Sequence, residues 1–260
     1  MALRGFPSIG GCCCDAVHDA LALQAVDIAA FDVDPVEAID FLRRKLDVPT
    51  AAWTDLWQEQ HSVAFTVAGA TNKAIARDFH DAVDRAIARG TTLADFRGDF
   101  DRIVEDHGWS YHGSRNWRSR VIIDTNISTA YAAGKWQQIQ RVKQNRPYLR
   151  YVHLAGQKNP RPEHEAWDGL ILPVDDDWWQ THYPPNGWFC HCTVMSLSER
   201  DLARYGYQLS EAPETVMVEQ TITTPDGIRT VTTPEGIDPG FAYRPGAMPA
   251  EAIIDDDGEI

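Results

Sequence analysis

Apolar side chains recur at helical spacing through the first half of the chain, and that period predicts a series of helices. Asn72 to Arg89 sets Ile75, Phe79, Val83 and Ile87 on one stripe, and Gly90 stands where a left-handed residue closes a helix. Thr92 with Asp95 opens another helix, whose Leu93, Phe96, Phe100, Ile103 and Val104 share a face and which closes at His107-Gly108. Ahead of both, Asp34-Pro35-Val36-Glu37 has the chemistry of a helix start: an acid to accept free N–H groups, Pro where φ is already helical, and Glu at the third position. Ile39, Leu42 and Leu46 continue it as a stripe. The placing of Trp53, Leu56, Trp57, Ala64 and Phe65 predicts a further helix across Thr50 to Val67. A longer helix is expected from about Asn116 to Lys143, built on Val121, Ile122, Tyr131, Trp136 and Ile139. Inside it, Asp124-Thr125-Asn126 sets polar side chains beside apolar ones, which lowers helix propensity and points to contact with another part of the fold. Gly134 permits close packing there.

The period changes at Tyr148. Tyr148 to Leu154 alternates aromatic or aliphatic with polar residues, as a strand does, and segments rich in Pro, Gly and Asp then interrupt any helix through Phe189. Ser198 caps a short helix to Tyr205. Thr223-Thr224-Pro225-Asp226-Gly227-Ile228 recurs as Thr232-Thr233-Pro234-Glu235-Gly236-Ile237, which reads as a β-hairpin with Pro-Asp-Gly in its turn. The expected fold is α+β: a helical N-terminal region, then a small irregular α+β module, then a C-terminal β-hairpin. Along the chain this gives an arm (1–33), a helical region (34–147), a compact Cys/His-containing module (148–210), a hairpin with a Gly/Pro-rich segment (211–246) and an acidic tail (247–260).

Composition supports burial of a sizeable core, with 43% apolar residues and nine Trp among 260 residues. No run of eighteen apolar residues occurs and the N-terminus lacks the layout of a signal peptide, so a chain that folds in a cytoplasm, away from membranes, is expected. The cysteines fall in two clusters, Cys12-Cys13-Cys14 and Cys190/Cys192, and neighbouring thiols are poorly placed to form disulfides with each other. The formal charge of -14 is uneven. Residues 115–150 carry Arg115, Arg118, Arg120, Lys135, Arg141, Lys143, Arg146 and Arg150 against Asp124 alone, whereas residues 201–260 carry twelve acids against Arg204, Arg229 and Arg244. An acidic whole disfavours general nucleic-acid binding, but Arg115, Arg141, Lys143 and Arg146 are candidate contacts for DNA or an acidic partner, against the plainer reading of a solvated helix face.

Candidate chemistry is concentrated between Tyr148 and Tyr207. His164, Cys190 and Cys192 are candidate ligands for a metal, zinc above all, with His182 and His191 as spares. Cys-x-Cys is not the usual Cys-x-x-Cys knuckle, and a buried thiol pair is the competing reading. His164 and Asp168 lie four apart, so a helical turn would let the carboxylate orient the imidazole with Cys190 as nucleophile; equally, Asp168-Gly169 makes a turn and His164 bonds to backbone. Such a set would make the chain a metal-dependent or cysteine-dependent hydrolase or nuclease. Asp175-Asp176-Asp177-Trp178-Trp179 is expected to expose its acids and bury its rings. There is no phosphate-binding glycine loop.

In register along the chain stand Trp117-Arg118-x-Arg120, Asp124-Thr125-Asn126, Ala132-Ala133-Gly134, Arg161-Pro162-x-His164, Asp168-Gly169, Pro184-Pro185-Asn186-Gly187-Trp188, Cys190-x-Cys192 and Asp238-Pro239-Gly240-Phe241. In this order and spacing the sequence resembles the F-like minor head proteins of phage Mu and the wider phage head-morphogenesis group. The resemblance implies a non-enzymatic minor capsid protein of a tailed phage or prophage, made in the host cytoplasm and built into the procapsid near the portal. Its implied partners are portal, major capsid or scaffold protein, with packaged DNA close by. It also implies that Arg118, Arg120, Thr125, Asn126, Gly134, His164, Asp168, Gly169, Pro184, Pro185 and Gly187 are residues of the shared fold. The group often carries Arg between the two cysteines, where this chain has His191.

Overall fold

A computed structural model of the chain describes residues 35–154 and 161–247. The expected arm, residues 248–260 of the acidic tail and Cys12 to Cys14 lie outside the described residues. The fold is α+β, with helices first and small sheets after.

Helices α1 (Pro35–Arg43), α2 (Lys73–Arg89), α3 (Leu93–His107) and α4 (Arg115–Val142) build the first part. Their ends follow from local chemistry. The Asn72 side chain accepts the Ala74 N–H, Thr92 and Asp95 form a reciprocal capping box, and Gly90 and Gly108 close their helices at φ 61° and 58°. The apolar stripes meet in one core that includes Phe41, Leu42, Phe79, Val83, Phe96, Phe100, Ile122 and Ile127. Gly134 of α4 lies where α1 crosses: a Cβ there would stand 2.8 Å from the Ala38 nitrogen.

The helix expected across Thr50 to Val67 does not form. In its place are turns, a 3-10 segment (Gln58–Ser62) and two short parallel strands, β1 (Leu46–Asp47) and β2 (Ala64–Phe65). The backbone groups a helix would use are taken elsewhere. The Asp55 carboxylate accepts the Ala51 and Ala52 N–H groups at 2.7 and 3.0 Å, and Val48 N–H bonds to Phe65 O across the strands. Leu46, expected on the α1 stripe, sits in β1 and is exposed.

The second part is a three-stranded antiparallel sheet of order β4-β3-β5, formed by β3 (Tyr148–Val152), β4 (Ile171–Pro173) and β5 (Thr193–Leu197). Between the strands lie α5 (Pro162–Ala166) and α6 (Trp179–His182), short helices where the sequence pattern predicts none; Pro162 at the first position of α5 starts that turn. Helix α7 (Glu199–Tyr205) follows with Ser198 as its cap. The hairpin forms from β6 (Met217–Thr224) and β7 (Gly227–Pro234), with Pro225-Asp226 at its tip. Trp136 and Ile139, from the far half of α4, pack into a second core with Tyr151, Trp167, Trp178, Trp179, Tyr183 and Phe241. One helix thus serves both cores. As expected, Trp178 and Trp179 are buried while Asp175 and Asp177 face solvent.

Candidate functional site

The polar cluster of the second core is assembled by three turns. Helix α5 carries His164, and Trp167 stacks on its ring at 5.2 Å. Its Nε2 lies 2.8 Å from Gly236 O; a carbonyl only accepts, so Nε2 bears the proton and Nδ1 faces inward. The chain then turns through Pro184-Pro185-Asn186-Gly187. Gly187 has to be glycine for steric reasons, since a Cβ there would be 2.7 Å from Asp238 Cγ and 2.8 Å from Arg161 Nη2. Asp238 Oδ2 accepts from Trp188 N–H at 2.8 Å and from Arg161 at 2.5 Å, tying this turn to the segment after the hairpin.

That turn delivers Cys190 and Cys192 to His164. Their Sγ atoms lie 3.6 and 3.5 Å from His164 Nδ1, and the three ligand atoms are all within 4.8 Å of one another. All three residues are buried. The two thiols are free. Burial pushes the Cys190 thiol up, but the hydrogen bond with Cys192 opposes it, and the net direction for Cys190 is below the usual thiol range. The hydrogen bond to Cys190, with burial behind it, drives the Cys192 thiol up instead.

The other sequence-designated residues fall into place around this centre. Asp168 does not orient His164: its Oδ1 accepts the His153 N–H at 2.9 Å, and Gly169, at φ 82°, bonds back to Tyr151 O. Both alternatives drawn for the pair are thereby decided in favour of the turn and the backbone bond. Asp124 reaches His191 across 3.8 Å, so the polar interruption of α4 does meet another part of the fold, namely the residue between the cysteines. Burial raises the Asp124 carboxyl, while His191 and Arg120 pull it down. Arg120 lies over the Phe189 ring and Arg118 over Trp109, with Arg118 also donating to Ala68 O. Asn126 donates to Ile122 O within its own helix, and Thr125 is half-buried beside it. His182 stays out of the cluster, stacked on Trp178 at 4.2 Å and held at about 4 by burial.

The basic candidates are each engaged within the chain. Arg115 pairs with Asp101, Arg141 with Glu37, Lys143 with Asp175, and Arg146 with Asp201 and Ser196. The residue that sequence reasoning passed over is His153, whose Nδ1 lies 3.4 Å from Cys192 Sγ. Strand period is the signal that finds it: His153 follows Tyr151 by two, and Tyr151 points into the same core.

Comparison with known proteins gives the chain's family. The family described as phage Mu protein F like protein matches residues 77–195, a span that contains His164, Cys190 and Cys192. The putative capsid assembly protein F of Escherichia phage Mu is 31% identical over 209 residues, which is 72% of this chain and 46% of that protein. The Mu-like prophage FluMu F protein of Haemophilus influenzae is 31% identical over 217 residues, 75% of this chain and 52% of that one. The chain thus spans about half the length of the curated relatives it matches. No solved structure matches it. With the long helix, strands β3 and β4 and the Cys-x-Cys turn inside the matched stretch, this chain belongs to the phage Mu protein F-like family.

Proposed function

We propose that the protein acts without catalysis in building the head of a tailed phage or prophage, entering the procapsid near the portal and contacting portal, major capsid or scaffold protein. The observation that carries this reading is its 31% identity, over 72% of its length, to a protein named as a putative capsid assembly protein. The geometry of the polar cluster supports it. An enzyme needs its reacting atoms open to a substrate, and here His164, Cys190 and Cys192 are buried behind Trp167 and Tyr151. Among the described residues no helix is long and apolar enough to cross a membrane, which suits a capsid component. Protein mass spectrometry of purified particles and procapsids is the direct test, with cross-linking to identify the neighbour. The reading predicts the chain in both particles and cross-linked to portal; its absence from both would overturn it, and cross-links confined to major capsid protein would overturn the portal-proximal position.

A further inference from the structure

We propose that the His164, Cys190 and Cys192 cluster is a structural zinc site, with His153 as its fourth ligand. This goes beyond the assembly role, because a chain that never entered a phage head would hold the ion equally well.

The distances are those of donors around a shared centre. Bonds of ~2.3 Å to sulfur and ~2.0–2.1 Å to nitrogen, at a tetrahedral angle, separate nitrogen from sulfur by roughly 3.5–3.6 Å. Both sulfurs stand at that separation from His164 Nδ1, at 3.5 and 3.6 Å. A single S–H···N bond would account for one of these contacts, since one lone pair accepts one proton; it leaves the second unexplained. His153 stands at the rim of the set on the Cys192 side, its Nδ1 3.4 Å from that sulfur but outside the group of three, so that serving as fourth ligand requires its side chain to shift toward them.

The surroundings are those of ligands held in place. Gly236 O fixes the His164 tautomer so that Nδ1 is the free nitrogen. Asp168 grips the backbone of His153, which gives the Asp-Gly turn a reason to follow His164 at this spacing. The Cys190 and Cys192 sulfurs each have a hydrogen bond to the backbone, at Asn186 and at Leu154. Two sulfurs and two imidazoles suit zinc, and a set with three buried ligands and a half-buried fourth suits a staple between α5, the Cys-x-Cys turn and the end of β3.

The test uses the full chain, purified without chelators from zinc-supplemented cells. Elemental analysis should find about one zinc per folded chain, and cobalt titrated into the zinc-free protein should give a thiolate charge-transfer band with the intense d–d bands of a tetrahedral site. Cys190→Ser and Cys192→Ser should each weaken the charge-transfer band. Folded His153→Ala should keep that band but change the d–d envelope. Asp168→Ala, a change in a positioning residue, should weaken metal affinity ~10–100-fold, while Asp168→Asn, which keeps an acceptor for the His153 N–H, should retain it. Folded wild-type protein with neither zinc nor a cobalt charge-transfer band overturns the site. An unchanged d–d envelope in folded His153→Ala overturns the part given to His153. Because the wild-type cobalt spectrum decides the first point alone, cysteine variants that fail to fold leave the proposal testable.

Discussion

Around the first half of α4 the core is made of side chains set at helical spacing, Phe79, Val83, Phe96, Phe100 and Ile122 among them. Around its second half the core is made of rings set edge to face, Trp136 on Tyr183, Tyr151 on Trp167 and Trp167 on Trp178, with single polar atoms fixing the turns between them. The two regions bury comparable large side chains but specify them differently. In the helical region each residue is one of several on a stripe, so position is set by period and neighbours can compensate. In the Cys/His region the chain has little regular structure to set position, and individual donors and acceptors do that work.

The comparison is broken or upheld most directly by truncating one large side chain on each side. Phe79→Ala and Trp179→Ala, both of which remove a fully buried ring, should each lower stability by about 3–5 kcal/mol in chemical denaturation. Hydrogen exchange then separates them. Phe79→Ala should speed exchange in α2 and α3, and Trp179→Ala should speed exchange in β3 to β5 while α2 stays slow. Equal acceleration everywhere in both variants would mean that the shared helix α4 makes the two cores one cooperative unit.

A smaller effect comes from a single carboxylate. Asp238→Ala removes the acceptor of both Trp188 N–H and Arg161, and leaves two half-buried donors without it. The expected loss is about 2–3 kcal/mol, confined to the Cys/His region. Asp95→Ala, a capping-box carboxylate of the helical region, should cost less, since it is exposed and the remaining turns of α3 hold the helix in place. Equal losses would mean that point contacts matter no more in one region than in the other.

This difference also explains what the sequence made legible. Asn72, Thr92, Gly90 and Gly108 mark their helix ends through local chemistry, and α2, α3 and α4 fall within a residue or so of their expected bounds. The stretch from Thr50 to Val67 has the same apolar spacing and no helix. Its outcome depends on β1 and β2 pairing and on Asp55 capturing two N–H groups, which period alone does not reveal. In the Cys/His region, His164, Cys190 and Cys192 could be named as candidates by residue type, but nothing in the spacing indicated that Nδ1 would sit between both sulfurs. His153 was hidden for the same reason: its partners, Cys192 and Asp168, are distant in sequence and meet it only through the sheet and the turn after α5.

Lys45 offers a test of opposite sign within the helical region. Burial lowers its ammonium from 10.5 to about 7, and its partner there is the Phe41 ring at 5.0 Å. The folded state binds this proton less tightly than the unfolded chain, so the destabilisation is full below pH 7 and fades as pH rises toward 10.5. Lys45→Met should therefore stabilise the protein by on the order of 2 kcal/mol at neutral pH, with a gain that shrinks by pH 10. Denaturation midpoints across that range check it; a gain that grows with pH would contradict the sign.

The smallest effect is expected at the helix surface, where Arg115 meets both Asp101 oxygens at 2.5 Å. The geometry is bidentate, yet the Arg115 and Asp101 side chains are 42% and 53% exposed, so water and salt screen the pair. Arg115→Ala should cost under ~1 kcal/mol, and the difference from the parent chain should diminish further in high salt. A loss that persists undiminished at high salt would point instead to the Arg115 bond with Arg97 O, which anchors the start of α4 against α3. In that case the surface of the helical region would depend on point contacts as the Cys/His core does, and the contrast between the two regions would apply to their interiors alone.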